Sequence, residues 1–102
     1  MTDIGRAQQA LIHRILAGEG TASPIDRRAA FDNRGVAAPL AILVEKTIAR
    51  PTAVTDDDFA AARAAGLTED QIFEIVVCAA VGQSMRQYSS ARAALDEVNW
   101  SE

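Results

Sequence analysis

The sequence predicts an all-α bundle of five to six helices. Apolar residues recur at helical spacing, Gly and Pro fall where the periodic stretches end, and no segment shows convincing period-two alternation. The β-branched run Ile75-Val76-Val77 reads as a strand by composition alone, but its length and its cap favour helix.

Each element has its own signals. From residue 3 to 17, Ile4, Ala7, Leu11, Ile12, Ile15 and Leu16 form one apolar stripe; Thr2 or Asp3 is placed to cap it, and Gly18 with Gly20 ends it. Ser23-Pro24-Ile25-Asp26 is a helix start, with Ser as cap, Pro in the first turn and an acid at the positive end of the dipole. The short helix that follows runs through Phe31 and stops near Asn33 and Gly35. A third helix opens at Pro39 and closes before Pro51. Thr55 caps a fourth whose first turn is Asp56, Asp57 and Asp58, and Gly66 ends it in the left-handed conformation. Thr68-Glu69-Asp70-Gln71 is a capping box for the fifth. That helix is apolar nearly all round from Ile72 to Val81 and is expected at the buried centre, with Ile72, Ile75, Val76 and Ala79 inside. Gly82 is expected to kink or break it, residues 84–97 to form a last polar helix, and the tail Asn99-Trp100-Ser101-Glu102 to fray.

Length and composition narrow the function. The 102 residues suit one domain, 1–102, able to bury roughly two thirds of its unfolded surface. Hydrophobic residues make up 49% but aromatics only 5%, and 21 residues are Ala, so the core is built from small side chains. Ala buries little area, which points to further burial against another subunit, with the Ile4, Leu11 and Ile15 stripe as the expected contact. Net charge is −4, with Lys46 the only lysine beside nine Arg, so the clustered cations of a nucleic-acid binder are missing. No apolar run approaches the roughly 20 residues that span a bilayer, and the N-terminus lacks a signal-peptide layout; a cytoplasmic protein is expected. Lys-poor, Ala- and Arg-rich usage suits a GC-rich bacterial genome. One cysteine, Cys78, excludes an internal disulfide.

Residues 49–94, and Ala61 to Gln87 above all, run as Ala-rich helix, Gly, Leu-Thr, acidic pair, Ile and long apolar helix. This resembles the carboxymuconolactone decarboxylase and alkylhydroperoxidase D superfamily, over a core of about residues 39–97. The resemblance implies an alkylhydroperoxidase-like bundle whose central antiparallel pair flanks Gly66. It also implies assembly as a homo-oligomer, whether dimer, trimer or hexamer. Peroxidase members carry Cys-x-x-Cys just before a His. Counting back from Gly66 puts that His at Asp58 and the cysteines at Val54 and Pro51; the family's glutamate falls near Pro39, with Glu45 close but out of register. Decarboxylase members keep the His, so this chain departs from both patterns. A peroxidatic thiol works as a thiolate, and its sulfenic acid needs a resolving thiol. Val and Pro do neither job.

The remaining candidates each have a plain structural reading. Cys78, midway along the most apolar helix, reads as a small core hydrophobe rather than a reactive thiol. His13 lies off the stripe and has no metal-ligating partners, and no cofactor or metal pattern is present. Asp56, Asp57 and Asp58 read as helix-start acids, because adjacent helical positions point about 100° apart and do not converge on one ion. Glu45 and Lys46 read as a solvated face. Arg86 with Tyr88, near Gly82, is the most promising ligand pair, able to hold a carboxylate, against the plain reading of a surface Arg and a half-buried Tyr.

The function expected is a divergent member without thiol peroxidase activity: an oligomeric subunit, scaffold or small-ligand-binding protein, with a catalytic paralogue as possible partner. The alternative is a small enzyme using Asp58, Glu45, Arg86 and Tyr88 on a carboxylic acid or lactone, or a single-cysteine peroxidase through Cys78.

Overall fold

A computed structural model describes the backbone of residues 2–100 and the side chains of residues 5–98. It contains α1 (Thr2–Ala17), α2 (Pro24–Asp32), α3 (Ala38–Ala49), α4 (Asp56–Ala64) and α5 (Glu69–Trp100), with a 3-10 turn at Pro51–Ala53. The chain is 81% helical, with no strand among the described residues. No described helix is long and apolar enough to cross a membrane.

The punctuation works as local chemistry predicts. The Asp26 N–H donates to Ser23 Oγ at 3.1 Å, and Asn33 closes α2 in the left-handed region. Gly66 takes φ +100° after α4, a conformation that side chains rarely adopt. Thr68 and Gln71 complete a reciprocal capping box: Thr68 N–H to Gln71 Oε1 at 2.8 Å, Gln71 N–H to Thr68 Oγ1 at 3.1 Å. The cap of α1 falls outside the described residues.

Three expectations are corrected. First, α5 does not break at Gly82; it is one helix of 32 residues. Gly82 is buried, and a Cβ built there would lie 2.0 Å from the Phe31 carbonyl oxygen. The missing side chain lets the end of α2 rest on α5 backbone to backbone, and neighbouring turns keep the helix intact despite glycine's poor propensity. The helix also continues through Asn99 and Trp100 rather than fraying there; Ser101 and Glu102 lie outside the described residues.

Second, the helices flanking Gly66 are not the central pair. α2 packs along α5 most extensively, α3 next, and α4 touches it only lightly. The main core joins Leu16, Ala22, Ala30, Leu40, Val44, Ile75, Cys78 and Ala79, with Ile12 and Ile15 packed against it. A smaller cluster of Leu43, Ala62 and Ile72 sits under α4.

Third, α5 is not buried all round. Ile72, Ile75 and Ala79 are inside, Val76 is half-buried, and Phe73 is 68% exposed. The α1 stripe likewise turns inward. Ile12 and Ile15 pack against the core and Leu16 belongs to it, which leaves Ala7 and Leu11 outward; the Ile4 side chain lies outside the described residues.

Candidate functional site

Asp58 sits in the first turn of α4, where its carboxylate folds back to accept the Thr55 N–H at 2.9 Å and the Thr55 hydroxyl at 3.2 Å. Lys46, reaching down from α3, places Nζ 3.1 and 3.0 Å from its two oxygens. The pair is largely shielded, with side-chain exposures of 23% for Lys46 and 12% for Asp58. The Thr55 backbone N–H first, and then the Lys46 ammonium, hold this carboxyl below its ordinary range. A carboxylate so saturated is a poor proton acceptor. It locks α3 to the start of α4 across the 3-10 turn. Lys46 is therefore not on a solvated face, as its neighbour Glu45 is: Glu45 is 67% exposed, and Arg50 comes no nearer than 3.8 Å to it.

Cys78 is 1% exposed, and its Sγ donates to the Ile15 carbonyl at 3.4 Å. Burial pushes the thiol up; the Arg27 charge opposes this and the Glu74 charge adds to it. The net shift works against the thiolate that peroxide chemistry needs.

Arg86 and Tyr88 do not form a pair. Arg86 donates one guanidinium nitrogen to the Phe31 carbonyl and the other to Gln83 Oε1 at 3.0 Å. It borders an open groove of about 690 Å³ that also holds Arg34, Ser89 and Ser90. Tyr88 is exposed and lies with Ala91, Arg92, Leu95 and Asp96 on another side of the helix. Two positions apart on a helix is about 200° around it, so i and i+2 cannot share a site. His13, Asp56 and Asp57 all stand exposed, and no group of three His, Cys, Asp or Glu gathers among the described residues.

The densest polar centre was not singled out by sequence. Glu74 of α5 accepts the Thr21 N–H at 3.0 Å on each oxygen, the Thr21 hydroxyl at 2.6 Å and the Ala22 N–H at 3.1 Å. The Thr21 hydroxyl leads the causes that hold this carboxyl low, followed among the lowering causes by the backbone N–H groups and the Arg27 charge. Arg27 itself is 4% exposed and donates to Gly18 O at 2.9 Å and Ile15 O at 3.4 Å, closing the end of α1; its buried Nε has no hydrogen-bond partner. Gln71 adds a bond to Thr21 O at 3.2 Å. Together these residues bind the α1–α2 loop to α5. The signal in the sequence was an acid inside an apolar run, at a position where the helix would otherwise be buried.

No family model, no curated protein and no solved structure matches this chain.

Proposed function

We propose that this chain is a helical subunit that has no thiol peroxidase activity, a divergent relative of the carboxymuconolactone decarboxylase and alkylhydroperoxidase D superfamily. One observation carries the reading: the single thiol is sealed in the core and bonded to Ile15 O, while the positions aligned with the reactive cysteines hold Pro51 and Val54. Asp58, in the aligned His position, is engaged by Thr55 and Lys46. The alternative enzyme needs Asp58, Glu45, Arg86 and Tyr88 to converge on a cavity, whereas Arg86 and Tyr88 line different grooves and neither groove includes Asp58 or Glu45. Its role on this reading is scaffolding or assembly.

The test is hydroperoxide consumption by the purified chain with a dithiol donor. No turnover above the buffer rate is expected, and robust turnover overturns the reading. A thiol reagent should modify Cys78 slowly in the native protein and rapidly in denaturant; fast native modification restores the single-cysteine peroxidase.

A further inference from the structure

We infer that the exposed second half of α5, residues 86–98, is a docking face for a second copy of this chain, with the two helices lying antiparallel. The inference rests on the subunit reading above and gives that subunit its surface.

Every residue from Arg86 to Val98 is exposed, a helical length of about 20 Å. An isolated helix of this length is marginal in water, because helices in proteins draw their stability chiefly from packing. Four apolar side chains nonetheless line it: Tyr88, Ala91, Leu95 and Val98, the large ones 43%, 59% and 61% exposed. Their spacing is the same as that of the buried stripe Ile72, Ile75, Ala79 and Gly82 in the first half. It is not a continuation of that stripe, since it is rotated by about 160° around the helix. The core-facing line continues instead into Arg86, Ser89 and Ala93, which are polar or small. A new apolar line on the opposite side implies a partner outside the fold.

The area fits such a partner. The chain exposes 7051 Å², whereas a compact monomer of this mass exposes about 5,600 Å². The surplus exceeds the roughly 800 Å² that each partner contributes to a standard interface. The radius of gyration, 15.7 Å, is likewise above the about 13 Å of a compact chain this long.

Charge selects the partner and its direction. Arg92 precedes the centre of the stripe and Asp96 follows it, both flanking it on the same side. Acids near a helix C-terminus oppose the macrodipole. Parallel pairing would leave Arg92 and Asp96 each level with its own counterpart on the opposite flank, and so form no Arg–Asp pair. Antiparallel pairing sets Arg92 near Asp96 of the second copy, Tyr88 opposite Val98 and Ala91 opposite Leu95, and it aligns the two dipoles favourably. The two-fold axis this requires makes a closed, self-complementary interface. Ala91 and Ala94 at the middle let the backbones approach closely.

Light scattering coupled to size exclusion on the full chain at tens of micromolar tests this. Wild type should run at about twice 10.9 kDa. Leu95→Arg and the milder Leu95→Gln should each run as monomers, with cooperative unfolding of the core retained because the position is exposed. Arg92→Glu should weaken association at least about tenfold, and Arg92→Glu with Asp96→Arg in one chain should restore it. Chains carrying Tyr88→Cys and Val98→Cys, mixed and mildly oxidised, should cross-link to each other in preference to themselves. A wild-type monomer overturns the inference, as does an assembly indifferent to both Leu95 variants, or one whose cross-links join like positions. None of these outcomes changes the peroxide assay, so failure of the surface is separable from failure of the non-peroxidase reading.

Discussion

From Ile72 to Gly82, α5 presents its apolar line to four other helices; from Arg86 to Val98 it presents every side chain to solvent. Both halves are helical and both carry the same apolar spacing, so periodicity does not distinguish them. What differs is where the rest of the chain is. The α1–α2 loop is tied to Glu74, the end of α2 rests on Gly82, and Arg86 bonds the Phe31 carbonyl. Beyond that point none of the described side chains of α5 is buried. An amphipathic stripe says that a helix will be covered; only the topology says whether its own chain covers it.

Substitutions along α5 should grade this contrast. The largest effect is expected at Ile75, which is 1% exposed: Ile75→Ala should lower unfolding free energy by about 2–5 kcal/mol in a denaturant titration. A change near zero would mean that the first half is not the core.

Gly82→Ala comes next. Ala is the better helix former by about 1 kcal/mol. Its methyl group must displace the Phe31 backbone, so the net change should be a loss of about 1–3 kcal/mol, read from the same titration. A gain in stability would show that the glycine has no packing role.

Glu74→Gln should cost about 1–2 kcal/mol at neutral pH by weakening the charge-assisted bonds to Thr21 and Ala22. The sign with pH follows from the direction of the shift. Glu74 is held below its ordinary value in the fold, so its contribution is present above the unfolded value of about 4.3 and is lost as pH falls through the lower folded value. Melting temperature plotted against pH should therefore fall less steeply in that acid range for Glu74→Gln than for wild type. Parallel curves would assign the acid sensitivity elsewhere.

The smallest effect belongs to the overhang. Leu95→Ala, measured at a concentration too dilute for association, should stay within about 0.5 kcal/mol of wild type. Amide exchange at residues 91–98 should then be much faster than at 72–80, and the gap should narrow as concentration rises. A gap independent of concentration would leave the second half of α5 without a partner at any concentration tested.

Much of the fold was legible because its boundaries are local events. Ser23, Gly66 and the Thr68–Gln71 box act within a few residues of where they stand, so a linear reading finds them. The losses were long-range. Lys46 read as solvated because Asp58, twelve residues away, is not an i+4 neighbour. Glu74 received no sequence reading, because Thr21, the partner that gives it a role, lies 53 positions earlier. Gly82 read as a break because glycine's weak helix propensity is visible in sequence and the approach of α2 is not. The candidate site residues were legible as residue types, but their dispersal around separate helices was not.

Gly82 also acts as a ruler. The contact between α2 and α5 needs one position without a side chain, and α5 offers no other glycine between Glu69 and Trp100. The place where α2 lands is thereby fixed, and so is the length of α5 that extends past it. Moving that glycine one turn along the helix would slide the landing point by about 5.4 Å and lengthen or shorten the projecting arm by the same amount. A single hydrogen-sized side chain, deep in the bundle, thus sets how far the molecule reaches beyond its own core.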